Sequence, residues 1–243
     1  TQSPSSAASD VYKRQVRTHD LPYEFSEEAI AQARAFGDSI DPTIADMRMD
    51  LRDCPFVTID GEDARDFDDA VYAAPRGKNG WTLWVAIADV ANYVTENSPL
   101  DQTAIERGTS VYFPSEVIPM LPETLSNGLC SLNPHVDRLA LAVCLEIAST
   151  GRVTSYRFHE VVLQSQQRLT YKQVQDTLDA VEANHKSPAA LKAAIVDSGR
   201  LNTIAIAENL ADLFSLYRVL RAARDDRGAS VSYTHLRAHE TLP

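Results

Sequence analysis

The sequence predicts an α+β fold, in which a mixed, mainly antiparallel β-sheet carries flanking helices. The first observation behind this prediction is order: most β-rich runs lie before residue 166, whereas the last third is dominated by amphipathic helical patterns. The second is a pair of β-rich runs, residues 138–149 and 153–165, that meet near Thr150 and Gly151 as the arms of a hairpin do. Strands followed by helices, rather than a repeating βαβ order, favour an α+β domain.

Residues 16–50 have the character of a connector that contains one helix. Ser26 offers a hydroxyl cap, and the acids that follow it place negative charge in the first turn, where the helix dipole favours it. The helix should continue through AIAQARAF and end near Gly37. The next stretch, SIDPTIADMRMDLRD, contains a proline and mixed charges, which is typical of a surface crossing.

The segments between residues 55 and 108 alternate between strand, turn and helix patterns. PFVTID and DAVYAA each predict a short strand, and PRGKNG predicts a turn from its proline and glycines. WTLWVAIADV is apolar almost throughout, which predicts a strand buried on both faces. LDQTAIERG then predicts a helix.

The last third predicts two further helices. Thr170 and, three residues later, Gln173 form a capping box, and the apolar stripe that follows is Val174, Leu178 and Val181. A longer helix ends before Gly228, and its apolar stripe is Ile206, Leu210, Leu213, Tyr217 and Leu220. This longer stripe predicts burial in the core rather than contact with a cofactor.

The composition is that of a globular, acidic protein. Among 243 residues, 44% are apolar and 23% are charged, which allows a sizeable core. The net charge of −11 argues against nucleic-acid binding by simple charge attraction, but it is compatible with an RNA enzyme that has a local basic channel. The sequence contains no apolar run of about 18 residues, so no membrane span is predicted. Its three cysteines lack CxxC spacing, which indicates reduced cytoplasmic thiols rather than a disulfide framework or a zinc site.

The two ends carry sequences of a different origin. Residues 5–15, SSAASDVYKRQ, correspond to the in-frame translation of a transposase adapter used for sequencing libraries. Residues 231–241, VSYTHLRAHET, correspond to the reverse complement of the partner adapter. We therefore expect residues 1–15 and 230–243 to be adapter-derived and non-native, and we exclude them from functional reasoning.

The stretch IDGEDARDFDDAV, residues 59–71, places six carboxylates within ten residues and only one arginine among them. Asp60 follows the apolar run FVTI at a strand end, whereas Asp66, Asp68 and Asp69 come just before the next apolar run. Short aspartate side chains fix their oxygen positions, and four hard oxygen ligands suit Mg²⁺ or Mn²⁺. Two such cations would orient a water and stabilise a pentavalent phosphate, and phosphodiester hydrolysis is the reaction that most often uses this arrangement.

Other interpretations of this acidic stretch stay open on spacing alone. A solvated acidic loop fits equally well, and the paired carboxylates of a glycoside hydrolase are not excluded, although they leave the other acids unexplained. An EF-hand calcium loop fits less well, because the glycine at position six and the terminal glutamate are missing when counted from Asp60. An aspartyl-phosphatase motif fails because Glu62 stands where a second aspartate is needed.

The acidic stretch closely resembles the motif of the ribonuclease II / ribonuclease R catalytic domain and is nearer to ribonuclease R. Further segments agree with that family in order and spacing: DLRDCPFVTID, LWVAIADVANYV, GTSVYFPSEVIPMLPETLSNGLCSLNPHVDRLALAV and QRLTYKQV. The resemblance covers about residues 16–229. It implies that residues 16–50 are a connector after a cold-shock domain and that residues 51–229 are the N-terminal part of the catalytic domain.

The resemblance implies a 3′-to-5′ processive hydrolytic exoribonuclease that degrades single-stranded RNA to nucleoside 5′-monophosphates with Mg²⁺, for which Mn²⁺ can substitute. Asp60, Asp66, Asp68 and Asp69 correspond to the four acids of its catalytic metal site. Asp60 and Asp69 would be direct ligands, and loss of Asp68 would abolish chemistry while leaving RNA binding largely intact. Tyr112 corresponds to an aromatic that stacks near the 3′-terminal base. The implied partner is therefore the 3′ end of single-stranded RNA, and the implied parent protein is cytoplasmic, monomeric and not membrane-bound.

Family features beyond the match limit what the chain is expected to do alone. The resemblance implies cold-shock domains before it, an S1 domain after it, and a later glutamate and an arginine segment beyond Gly228. We therefore expect the isolated chain to lack processive RNA degradation. Two alternatives stay open: a metal-binding, RNA-binding module without catalysis, and a phosphohydrolase that acts on small phosphate esters.

Overall fold

The structure, a computed structural model, describes residues 16, 18–113, 117–182, 193, 201 and 203–228. The adapter-like segments therefore lie outside the described residues. The helices are α1 (Glu27–Ala35), α2 (Pro42–Ala45), α3 (Pro99–Arg107), α4 (Tyr171–Glu182) and α5 (Ile204–Asp226). The strands are β1 (Met49–Asp50), β2 (Val57–Asp60), β3 (Asp69–Pro75), β4 (Trp81–Ala88), β5 (Val111–Tyr112), β6 (Val117–Ile118), β7 (Arg138–Ile147), β8 (Val153–Leu163) and β9 (Gln167–Thr170).

Seven of these strands form one mixed sheet in the order β1-β8-β7-β4-β3-β2-β9, and β5 pairs with β6 in a separate ribbon. The pairs β1–β8 and β2–β9 are parallel, whereas β2–β3 and β5–β6 are antiparallel. The prediction of an α+β fold with a mixed, mainly antiparallel sheet is confirmed. The described residues divide into two compact units: those within 16–71, 85–143 and 158–176 form the first, and those within 72–84, 144–157 and 177–228 form the second.

In the first unit, helix α1 forms where its cap predicts. The Ser26 hydroxyl accepts a hydrogen bond from the Ala29 N–H at 3.1 Å, and Gly37 ends the segment with a φ of 69°. The buried face of α1 consists of Ala29 and Ala33. Helix α1 is linked to helix α3, because the Gln32 side chain accepts from the Leu100 N–H at 3.0 Å.

The segment predicted as a surface crossing is more regular than expected. It contains α2 and β1, and β1 adds to the sheet with Met49 opposite Val161. The Leu51 N–H extends this pairing by donating to the Val162 carbonyl at 2.9 Å. Two residues are too few for a periodicity signal, and the partner strand lies more than 100 residues away, so the sequence pattern did not predict this strand.

Strand β4 differs from its prediction. Ala86 and Ala88 are buried, but Ile87 is 53% exposed and most of the strand is only half-buried, so β4 is not covered on both faces as predicted. The tryptophans and β-branched residues of this run favour a strand, which explains why the strand forms. The same preference does not require both faces of the strand to be buried.

In the second unit, the core gathers around Ala73, Ile147 and Leu216. The hydrophobic side chains packed against this core are Trp81, Leu83, Leu145, Leu213 and Leu220. The predicted stripe of α5 is correct for Ile206 and Leu210 but wrong for Tyr217, which is 52% exposed while its neighbour Leu216 is buried. Tyr217 instead stacks on Phe214, with ring centroids 6.3 Å apart.

Two turns of the second unit need glycine. In the predicted turn after β3, the Arg76 N–H donates to the Gly80 carbonyl at 2.7 Å, and Gly80 has a φ of 112°. In the predicted β7–β8 hairpin, the Ala148 N–H donates to the Arg152 carbonyl at 2.9 Å, and Gly151 has a φ of 80°. Both conformations are strained for any residue with a Cβ atom.

Helix α5 is joined to β3 by one buried polar side chain, Asn209. Its Oδ1 atom accepts the Ala73 N–H at 2.9 Å, and Asn209 is only 2% exposed. Replacing Asn209 with Ala would leave that buried N–H without its acceptor. We expect the free energy of unfolding to fall by about 1–3 kcal/mol, measured by urea denaturation of the full chain.

The matched control is Ser215→Ala on the same helix. The Ser215 hydroxyl donates to the Ala211 carbonyl at 2.8 Å, so its removal loses a hydrogen bond but leaves no buried N–H without a partner. We expect this variant to cost less than about 1 kcal/mol. Equal losses in the two variants would contradict the role assigned to Asn209.

None of the helices in the described part is both long and apolar enough to cross a membrane. The cysteines Cys54, Cys130 and Cys144 are all free thiols. Burial raises the pKa of the Cys130 thiol to about 12, so this thiol stays protonated near neutral pH and is a poor nucleophile.

Candidate acidic catalytic site

The site is built on strand β2, which lies between β3 and β9. Val57 of β2 pairs with Val71 of β3 in antiparallel orientation, so the end of β2 and the start of β3 lie on the same side of this pair. On the other side, Asp60 pairs in parallel with Thr170 at the end of β9. The end of β2 and the start of β3 thus meet at one edge of the sheet, and both carry predicted site residues.

The backbone between the predicted acids is held from both sides by the segment that precedes β7. The buried Phe67 donates its N–H to the Ser131 hydroxyl at 3.0 Å and accepts from the Leu132 N–H at 2.6 Å. The next carbonyl, that of Asp68, accepts from the Ala88 N–H at 2.8 Å. These bonds fix the path of the chain from Asp66 to Asp68, so the two carboxylates start from a defined backbone.

Three of the four predicted acids interact electrostatically. The pKa of Asp69 is raised, first because its carboxylate is partly shielded from solvent and then because of the charges of Asp68 and Asp60. Like charges at close range favour the protonated form of one of them, unless a cation offsets the repulsion. Asp60 and Asp68 therefore lie within electrostatic range of Asp69.

The fourth acid, Asp66, faces the predicted aromatic. The Tyr112 hydroxyl donates to Asp66 Oδ2 at 3.2 Å, although Tyr112 lies on the separate β5–β6 ribbon. Loss of solvent and the charge of Asp66 raise the pKa of the Tyr112 phenol. Tyr112 is 66% exposed, so this tyrosine borders the acids while much of its surface stays accessible to solvent.

The acids have the right chemistry for a hard divalent cation but are not gathered into a closed binding site. Among the described residues, no group of three or more His, Cys, Asp or Glu side chains is placed to hold a metal ion directly. Aspartate oxygens are the ligands that Mg²⁺ prefers. The charges of Asp68 and Asp60, which add to the loss of solvent in raising the pKa of Asp69, are of the kind that a cation offsets. In donor type and charge, these residues fit such an ion.

Sequence reasoning missed two residues that border the acids, Arg168 and Tyr171. The predicted capping box is confirmed: the Thr170 N–H donates to Gln173 Oε1 at 2.9 Å, and the Gln173 N–H donates to Thr170 Oγ1 at 3.1 Å. This box starts α4 beside the end of β2, so Tyr171 lies near the acids. Loss of solvent, and then the charges of the acids, raise the pKa of the Tyr171 phenol. The parallel β2–β9 pairing that brings both residues here has no local sequence signal.

A profile of the RNB domain matches residues 48–240, which is most of the chain. The chain belongs to the RNB domain family. Among curated relatives, Ribonuclease R of Escherichia coli K12 is 47% identical over 213 residues, covering 88% of this chain and 24% of the relative. Ribonuclease R of Vibrio cholerae is 46% identical over 214 residues, again with 88% and 24% coverage. The resemblance seen in the sequence is thereby confirmed, and this RNB chain spans about a quarter of the length of these relatives.

Solved structures agree with this assignment. Mycoplasma genitalium RNase R in complex with double-stranded RNA superposes with a TM-score of 0.75 at 30% identity, covering 87% of this RNB chain and 35% of that chain. The same protein with ribose methylated single-stranded RNA gives a TM-score of 0.72 at 31% identity, with 86% and 30% coverage. Yeast Ssd1, described as a pseudonuclease, has a TM-score of 0.54 at 20% identity over 65% of this chain and 19% of its own. The fold therefore does not by itself imply hydrolysis, and evidence for hydrolysis has to come from the site residues.

Proposed function

We propose that this chain supplies the acidic part of the catalytic site of a 3′-to-5′ processive hydrolytic exoribonuclease, which degrades single-stranded RNA to nucleoside 5′-monophosphates. The observation that carries the proposal is the placement of Asp60 and Asp69 at the adjoining ends of the paired strands β2 and β3, within electrostatic range of each other, in a chain 47% identical to a Ribonuclease R. The free thiols are in keeping with a cytoplasmic location. We also propose that the parent protein acts as a monomer on the 3′ end of its RNA.

Each side chain has a distinct part in this proposal. Asp60 and Asp69, at the adjoining ends of β2 and β3, would be direct ligands of Mg²⁺, or of Mn²⁺ as a substitute. Asp66 and Asp68 flank the anchored Phe67, so their carboxylates would orient the cation and the reacting phosphate from a fixed backbone. When bound, the cation would activate water and offset the charge that develops on the phosphate.

Tyr112 would contribute to substrate position rather than to bond cleavage. Its hydroxyl is held by Asp66 at 3.2 Å, which limits the orientations of the ring, and most of the side chain is exposed. Stacking of a base on such a ring contributes about 1–3 kcal/mol and does not depend on base identity. The 3′-terminal base would therefore be placed next to the acids whatever the RNA sequence.

Metal binding tests the proposed role of the acids in the full chain. We expect saturable Mn²⁺ binding, and we expect Asp60→Asn/Asp69→Asn to weaken it at least about 100-fold, because even residues that only support metal ligands typically contribute about 10–100-fold. Isothermal titration calorimetry gives the affinity, and circular dichroism confirms that both proteins fold.

The matched control is Glu62→Gln/Asp63→Asn, which removes the same two charges from exposed positions in the neighbouring loop. We expect it to change the Mn²⁺ affinity less than about threefold, because screened surface charges act weakly. Equal weakening in both double variants would mean that Mn²⁺ binding depends only on the net charge of the protein, and it would contradict a specific site.

Catalysis is tested in a chimaera, because the chain spans only 24% of the Escherichia coli relative. Residues 48–228 replace the matching segment of that Ribonuclease R, and 5′-labelled single-stranded RNA is incubated with Mg²⁺. Stepwise shortening from the 3′ end supports the proposal, and the isolated chain is expected not to shorten the RNA processively. RNA binding without shortening would favour a non-catalytic module, and turnover of an aryl phosphate ester without shortening would favour a small-ester phosphohydrolase.

A further inference from the structure

We propose that Arg168 is a positioning residue that holds the acidic loop, residues 61–66, in the conformation that the carboxylate site requires. The proposal rests on the proposed function, because it assigns a role in organising that same site. Arg168 is exposed and belongs to β9, far from the acidic loop in sequence.

The side chain of Arg168 makes three contacts with the acidic loop and the residue after it. Its Nη2 atom donates to the Ala64 carbonyl at 2.7 Å and to the Glu62 carbonyl at 3.1 Å. Its guanidinium carbon lies 4.1 Å from the centroid of the Phe67 ring, within the range of a cation–π interaction. One side chain therefore links both halves of the loop to the aromatic residue that separates Asp66 from Asp68.

Both ends of this link are fixed. Arg168 lies on β9 and pairs with Thr58 of the adjacent parallel strand β2, which ends at Asp60. Phe67 is buried, and its backbone is bonded to Ser131 and Leu132. Arg168 thus ties the loop to β9 on one side and to the anchored Phe67 on the other, within the segment that joins Asp60 to the acids at 66, 68 and 69.

The acidic loop has a physical need for such a link. It carries the negative charges of Glu62, Asp63 and Asp66 against the single positive charge of Arg65, and the excess of like charge favours an expanded conformation. Within the loop, the described backbone bonds are modest: the Ala64 N–H donates to the Gly61 carbonyl at 3.3 Å. A cation that also bonds two loop carbonyls offsets the repulsion and restricts the backbone at the same time.

Arginine suits this role in a way that lysine does not. A guanidinium group is planar, so it can stack on the Phe67 ring while its N–H groups point outward in its own plane to the carbonyls. An ammonium group offers the same charge but cannot reproduce both contacts from one position. Arg168→Lys therefore separates the effect of geometry from the effect of charge.

The test uses hydrogen–deuterium exchange of the full chain without added metal, comparing wild type with Arg168→Gln and Arg168→Lys. The amides to follow are those of Gly61, Ala64 and Phe67, which are hydrogen-bonded in the structure. We expect their exchange to accelerate about 5- to 10-fold in both variants. The control Arg218→Gln, an exposed arginine of α5, should leave these amides unchanged.

A second measurement, the Mn²⁺ affinity, connects the loop to the site. We expect Arg168→Gln to weaken Mn²⁺ binding about 10-fold, the usual cost of losing a residue that supports metal ligands. Arg168→Lys should bind Mn²⁺ more tightly than Arg168→Gln, but it should restore less than half of the lost affinity on a logarithmic scale. Full recovery by lysine would overturn the positioning role, since charge alone would then be sufficient.

The two measurements fail in distinguishable ways. Unchanged exchange at residues 61–67 in both variants overturns the inference about Arg168, whatever the metal result. Faster exchange spread equally over β2 and β9 would also overturn it, because that pattern reports a general loss of stability. If wild type shows no saturable Mn²⁺ binding, the proposed function fails, while accelerated exchange confined to the loop still supports the contacts of Arg168. If Arg168→Gln does not fold, the exchange data of Arg168→Lys decide.

Discussion

Asp68→Asn in the chimaera is expected to abolish RNA hydrolysis while RNA binding is retained. Asparagine keeps the size of the side chain but removes its negative charge, and the backbone contact of residue 68 with Ala88 does not depend on the side chain. Support residues of metal sites typically contribute about 10–100-fold to activity. A carboxylate that contacts the reacting groups should contribute more, so we expect the rate to fall by at least about 100-fold.

The rate is measured as the shortening of 5′-labelled single-stranded RNA under single-turnover conditions, and RNA binding is measured by fluorescence anisotropy. Asp63→Asn is the matched control, because it makes the same substitution at an exposed loop position five residues earlier. We expect this control to keep the rate within about threefold of the unsubstituted chimaera. A parallel loss of binding and rate in Asp68→Asn would show that Asp68 serves binding, and an unchanged rate would remove it from the chemistry.

Gly80→Ala is expected to prevent stable folding of the second unit. Gly80 has a φ of 112°, and a Cβ atom there would lie 1.9 Å from the Ile147 carbonyl oxygen and 2.7 Å from the Ala148 carbonyl carbon. Both atoms belong to backbone, which cannot rotate away as a flexible side chain can. The turn itself is fixed by the bond from the Arg76 N–H to the Gly80 carbonyl.

We expect Gly80→Ala to lower the free energy of unfolding by about 4 kcal/mol or more, at the extreme of single substitutions. Domains typically have about 5–15 kcal/mol in total, so much of the protein would unfold or aggregate. Urea denaturation and the soluble yield measure the effect. Gly77→Ala in the same turn is the control, because Gly77 has a φ of 57° but faces open space, and we expect it to cost about 1–2 kcal/mol. Similar losses in the two variants would show that backbone strain, and not the clash with Ile147, dominates.

Local signals in the sequence predicted local structure well. The cap at Ser26 and the capping box of Thr170 and Gln173 both formed, because each depends on atoms within four residues. The turn glycines were also recognisable, since few other residues accept a positive φ. By contrast, Tyr217 was predicted to be buried and is exposed, because helical periodicity marks an apolar face without showing how much of it is covered.

The acidic site shows the same contrast between features that local sequence signals predict and features that depend on distant strand pairing. The density of acids within residues 59–71 singled out the candidate residues, and the pairing of β2 with β3 places three of them within electrostatic range of one another. Arg168 and Tyr171 were not predicted, because their proximity depends on the pairing of β9 with β2. Pairing between strands so distant in sequence depends on packing and chain topology, which have no short motif.

The parallel pairing of Asp60 with Thr170 also has a consequence for the order of folding. A ribosome releases the acids long before it releases β9, and closing such a long loop carries an entropic cost that local hairpins avoid. A nascent chain would therefore present its carboxylates on an unfinished sheet, without the strand that frames them. The acids of β2 and β3 can therefore approach one another early, whereas Arg168 and Tyr171 reach them only after β9 has paired with β2.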